Sequence, residues 1–160
     1  MKNRLLMFLP VLLCCLALSG CGEDPTLTKF YDDVDAFCLE AAAIGTNINN
    51  IDAQSDTAVE DLLGYLDQLD QAFRVFSDIN VPEEFSYLEA LADEASSYMT
   101  TAVEAYHEAY SNSSYNEYTA AYAMENYERA CKRVNVLLQL LRGEEVTDAD
   151  VTIEKIEETE

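Results

Sequence analysis

The stretch Pro25 to Ile51, PTLTKFYDDVDAFCLEAAAIGTNINNI, decides the fold. Its apolar or small residues fall at Leu27, Phe30, Val34, Phe37, Ala41, Ile44, Ile48 and Ile51, stepping by three and four without a miss. That spacing keeps one stripe of an α-helix apolar, whereas a half-buried strand would alternate at every second residue. Asp24 followed by Pro25 supplies a cap and a proline at the first helical position. Asn49, Asn50 and Asp52 break the pattern at the other end.

The same reading repeats three times. Thr57-Ala58-Val59-Glu60 fits a capping box, and Val59, Leu62, Leu66, Leu69, Phe73 and Phe76 form the seam behind it. Asn80-Val81-Pro82 closes that helix, because the residue before a proline disfavours helical backbone. Pro82, Glu83 and Glu84 open a third helix, the two carboxylates complementing its positive dipole end. Its stripe is Phe85, Leu88, Ala92, Ala95, Met99, Ala102, Tyr106 and Ala109. After the turn Ser111-Asn112-Ser113-Ser114, a second capping box, Ser114 to Glu117, introduces the seam Ala120, Met124, Tyr127, Cys131, Val134, Leu138 and Leu141. Gly143 stands where a C-terminal cap glycine belongs. Only 5 glycines and 3 prolines in 160 residues leave room for few, long elements. The expectation is an all-α protein, an antiparallel up-down-up-down four-helix bundle over residues 25–142, with a mobile acidic tail over 143–160.

The first twenty-one residues have a different grammar. Lys2 and Arg4 precede an apolar run from Leu5 to Leu18, broken only by Pro10, and small residues lead into a cysteine. Charged start, apolar middle and small-residue exit make a secretory signal peptide over residues 1–20. The run is too short for a bilayer-spanning helix, which needs about 20 apolar residues. The exit, Leu18-Ser19-Gly20-Cys21, resembles the lipobox of bacterial lipoproteins. The resemblance implies cleavage before Cys21, acylation of that cysteine, and tethering outside the cytoplasm through the short segment 21–24. Gly22 does not resemble the Asp-type signal that retains lipoproteins at the inner of two membranes. Nothing in residues 25–160 resembles a specific family.

Removing the leader leaves 7 basic side chains against 31 acidic ones, a formal charge of −24. Such a chain repels nucleic acid, which demands a positive face, and it repels anionic headgroups. Its hold on a membrane must therefore come from acyl chains. The hydrophobic content of 49% is too high for a disordered acidic polymer. Cys14 and Cys15 leave with the leader, so Cys38 and Cys131 remain in the folded part. Counted along antiparallel helices 1 and 4, their heights differ by only about 3 Å. In an oxidising compartment this spacing leads us to expect a Cys38–Cys131 disulfide.

Candidate chemistry is sparse. Glu104-Ala105-Tyr106-His107 has the Glu-x-x-His spacing of di-iron bundles, but those need two such pairs and two more glutamates. His107 is the single histidine, and inward Ala102 and Tyr106 turn it toward solvent. No Cys-x-x-Cys-His run is present for haem attachment, no EF-hand pattern for Ca²⁺, and no nucleophile has a recognisable base. No catalytic residue, metal site or cofactor is assigned, and the chain is read as not an enzyme.

The remaining signal is tyrosine: ten in all, seven of them from Tyr98 to Tyr127. Tyr110, Tyr115, Tyr118 and Tyr122 cluster around the helix 3–4 turn, with Asn112 and Asn116 among them. Tyr gives rigid contact area and Ser and Asn give adaptable hydrogen bonding, as binding surfaces favour. With the lipid at one end of an up-down-up-down bundle, this turn and the Asn47–Asp56 loop share the far end. The candidate surface is Tyr110, Tyr115, Tyr118, Asn112 and Asn116. The expected function is a non-catalytic, lipid-anchored binding module in the cell envelope, its partner an envelope or extracellular protein or a small ligand. The alternatives are a structural spacer or assembly subunit and, further off, a metal- or cofactor-dependent enzyme.

Replacing Cys21 by Ala should abolish acylation and move the protein from the membrane to the soluble fraction. A variant that still sediments with membranes at high salt, with no lipid mass lost, contradicts the lipobox reading.

Overall fold

The structure, a computed structural model, describes residues 24–111 and 115–146. The leader, Cys21, Asn112 and most of the acidic tail lie outside the described residues. Within them the chain is all-helical: α1 (Pro25–Asn49), α2 (Ala58–Ser77), a 3-10 segment (Glu83–Leu88), α3 (Glu89–Ser111) and α4 (Glu117–Leu141). None of these helices is long and apolar enough to cross a membrane.

α1 begins as its sequence dictates. The Asp24 side chain accepts a hydrogen bond from the Thr26 amide at 2.9 Å, with Pro25 in the first turn. Every stripe residue from Phe30 to Ile48 is buried, together with Cys38. α2 buries Leu62, Leu66, Leu69, Phe73 and Phe76 but leaves Val59 exposed. Its expected capping box does not form. The Thr57 hydroxyl donates to Asp61 instead, at 2.9 Å, and meets the Ser55 hydroxyl at the same distance. Asp61, the residue after Glu60 and one turn on from Thr57, is the carboxylate that the short Thr57 side chain meets.

The third helix also opens differently from expectation. After Pro82 the chain makes a 3-10 turn, closed by Phe85 N–H donating to the Pro82 carbonyl at 2.8 Å, and becomes α-helical only at Glu89. Pro82 offers no side-chain cap, so the first turn tightens and its amides find backbone carbonyls within the turn. Phe85, carried on this turn, stacks on Phe30 with ring centroids 5.6 Å apart.

The helices pack in chain order, α1 on α2, α2 on α3, and α3 on α4, around one continuous apolar core. α3 lies between two neighbours and buries nine residues, among them Ala92, Ala95, Ala102, Ala105 and Ala109. α4 answers with Ala120, Ala123 and Ala130. A methyl side chain lets backbones approach, and α3–α4 is the closest helix pair in the molecule. α1 and α2 are held further apart by rings: Phe37 stacks on Phe76 at 4.1 Å and meets Phe73 edge-on at 5.1 Å. Each such aromatic pair adds about 0.5–1.5 kcal/mol beyond its buried area.

α4 ends in a Schellman motif. Gly143 has φ +70°, its amide donates to Leu140, and the Glu144 amide donates to Gln139. The chain then turns back, so that Val146 packs against the core.

Ala130 is fully buried. Ala130→Leu should therefore destabilise the protein by about 1–3 kcal/mol, since the neighbouring backbone leaves no space. Ala121→Leu, on the exposed face of the same helix, should change stability by less than about 0.5 kcal/mol. Equal urea midpoints for the two variants would contradict the close packing.

Candidate functional site

The sequence placed recognition at the turn between α3 and α4. Tyr110 closes α3, half-buried against the core, and its ring lies 5.1 Å from that of Tyr115. Burial raises the Tyr110 hydroxyl above the ordinary tyrosine range, with Tyr115 adding to it. The Asn116 amide donates to the Ala109 carbonyl at 3.0 Å, fastening the second helix to the first. Asn116 is also the N-cap of α4: its Oδ1 accepts from the amides of Tyr118 and Thr119 at 3.1 and 3.2 Å. The expected capping box starting at Ser114 is thus replaced by Asn116. This residue, singled out for binding, spends its oxygen on the helix.

Three tyrosines point outward. Tyr118 is 90% exposed, Tyr115 56% and Tyr122 53%. Tyr118 and Tyr122, four positions apart within α4, share one face of that helix, and Tyr115 precedes it in the turn. The inward side of the same turns holds Ala120 and Ala123, and the tyrosine stripe stands on this close-packed floor.

One turn inward, the polar groups are engaged internally. The Tyr106 hydroxyl donates to the Met124 sulfur at 3.7 Å and is pushed above its ordinary range, chiefly by burial. Asn126, the buried polar residue of the core, donates from Nδ2 to the Tyr122 carbonyl at 2.9 Å. Tyr127 is pushed up by burial and hydrogen-bonds to Cys131, the residue one turn on.

The expected Cys38–Cys131 disulfide is not present among the described residues. α1 and α4 are not a close pair: α1 packs on α2, and α4 on α3. α4 buries Ala120, Val134, Leu138 and Leu141 of the expected seam, but departs from it in the middle of the helix. Ala123, Asn126 and Ala130 are buried, while Met124, Tyr127 and Cys131 stand at its half-buried flank. Burial pushes the Cys131 thiol up to about 11, so near neutral pH it is a protonated thiol and a poor nucleophile.

Glu104 and His107 face solvent, as the seam implied. His107 Nε2 lies 2.7 Å from Asp67 Oδ1, tying α3 to α2. One step along the same interface the Thr100 hydroxyl donates to Asp70 at 2.6 Å, and Asp70 also accepts from Arg74 at 2.8 Å. These contacts register the two helices.

A second tyrosine site was not legible in the sequence. On the α3–α4 flank, the guanidinium carbons of Arg129 and Arg133 each lie 5.7 Å from the Tyr98 ring centre. Arg133 pairs with Glu94 at 2.5 Å and Arg129 with Glu125 at 2.6 Å. These are cation–π contacts framed by carboxylates. Tyr98 and the arginines are more than thirty positions apart, so only the helix register brings them together. Comparison with family models, with curated proteins and with solved structures finds no match.

Proposed function

We propose that this protein is a lipid-anchored, extracytoplasmic binding module with no catalytic role. Its four helices run up-down-up-down and present the α3–α4 turn away from the membrane. Contacts that bring low numbers of one helix to high numbers of the next support this topology: Asp67 with His107, Asp70 with Thr100, Glu94 with Arg133, and Tyr110 with Tyr115. The lipobox supports the anchor. Cys21 stands four residues before Pro25, which sets the first end of α1 against the membrane and the tyrosine turn at the far end.

The observation that carries the reading is the exposure of Tyr118, Tyr122 and Tyr115 side by side. Single exposed apolar residues are ordinary on any surface, but a contiguous aromatic stripe marks an interaction site. Tyr118 and Tyr122 are the informative pair, because Tyr115 also packs on Tyr110. Tyr118→Ser with Tyr122→Ser should leave helicity and melting temperature nearly unchanged. It should weaken capture of the native envelope partner by about 2 kcal/mol or more. A large loss of stability would make these tyrosines part of the fold, and undiminished capture at full stability would favour the structural spacer.

A further inference from the structure

The partner's chemistry can be read from the charge around the stripe, on the premise that the stripe is the binding surface. From Val75 to Glu128 the chain contains no lysine or arginine, while acidic residues recur throughout. All of α3, Tyr115 in the turn, and the first half of α4 with Tyr118 and Tyr122 fall in this stretch. Glu117 is next to Tyr118, and Glu125 lies one turn beyond Tyr122 on the same face. The ingredients at the tip are exposed rings and carboxylates.

The protein itself shows how such ingredients are used. At Tyr98, two guanidiniums sit over one tyrosine ring and are held by Glu94 and Glu125. Arg129 and Arg133 are the first cations along α4 from the tip, apart from Lys132 between them, and both are committed to Tyr98 and its carboxylates. A cation on the faces of Tyr118 and Tyr122 must come from another molecule. The formal charge of −22 on the whole chain draws in cationic partners and repels a second copy of itself.

We propose that the Tyr115–Tyr118–Tyr122 stripe docks an arginine- or lysine-rich segment of a partner protein. The partner's cations lie over the tyrosine rings as Arg129 and Arg133 lie over Tyr98. The rings supply the specific contact; the carboxylates supply long-range attraction and orientation.

The test uses the full chain purified in detergent and a fluorescent nona-arginine peptide, with affinity read by anisotropy near physiological salt. Tyr118→Ser with Tyr122→Ser should weaken binding about tenfold, since two cation–π contacts are lost. Tyr118→Phe with Tyr122→Phe, which keeps the ring faces, should stay within about twofold of the parent. Asp32→Asn with Glu40→Gln removes two exposed charges from α1 and should also stay within about twofold. An affinity loss in the α1 variant equal to that of the serine variant would reduce the effect to net charge and overturn the proposal. Unchanged peptide binding by a serine variant that no longer captures the native partner would overturn the cationic assignment while leaving the binding surface in place. Loss of neither would remove both.

Discussion

The close contact between α3 and α4 is the constraint on which the rest depends, and alanine makes it possible. Ala92, Ala95, Ala102 and Ala109 on one helix face a partner that buries Ala120, Ala123 and Ala130. Small side chains bring little apolar area each, so the pair is held by backbone proximity and complementary fit rather than by large burial. Larger side chains fill the rest of the core, including Val134, Val136 and Leu137 of α4. There Leu66, Phe73, Leu88 and Met99 are fully buried, each contributing about 1.5–3 kcal/mol of burial.

That packing determines what reaches solvent. In its first half α4 buries Ala120, Ala123 and Ala130 and carries Tyr118 and Tyr122 outward, with Met124 and Tyr127 half-buried; its second half buries Val134, Val136, Leu137, Leu138 and Leu141. Asn116 starts α4 at a defined point by capping two amides, and its own amide holds the Ala109 carbonyl. The register set there continues down the pair to the Arg133–Glu94 contact and the arginines over Tyr98. The exposure of Tyr118 and Tyr122 is in this sense a product of the packing, and their spacing is fixed by the helix that carries them.

The helices and their apolar faces were legible because three- and four-residue spacing is a local property. α1 reads almost residue for residue from Phe30 to Ile48, and Asp24 and Gly143 announce its start and the end of α4. What failed was anything decided by competition between neighbours. Thr57 found Asp61 and Ser55 instead of closing a box with Glu60. Pro82 led into a tighter turn, because it brings no side-chain cap. The α4 seam was drawn through Met124, Tyr127 and Cys131, since these are larger and more apolar than Ala123, Asn126 and Ala130. Size was the wrong guide where the neighbouring helix demands small residues. The disulfide expectation inherited that error: it placed Cys131 at the centre of a face of which it occupies the edge. In the candidate site, the tyrosine cluster was visible as composition, but which rings are exposed followed only from the way α4 packs. The Tyr98 pocket, built from residues on two helices, had no local signature.

Native-state hydrogen exchange tests the central claim most directly, because it ranks the helices by the free energy needed to open them. If the alanine-lined pair is the rigid base of the molecule, amides in the middle of α3 and α4 should exchange last, only through global unfolding. Those of α1, whose one close α-helical partner among the described residues is α2, should open earlier. Exchange of the α3 and α4 amides ahead of those of α1 and α2 would contradict the account.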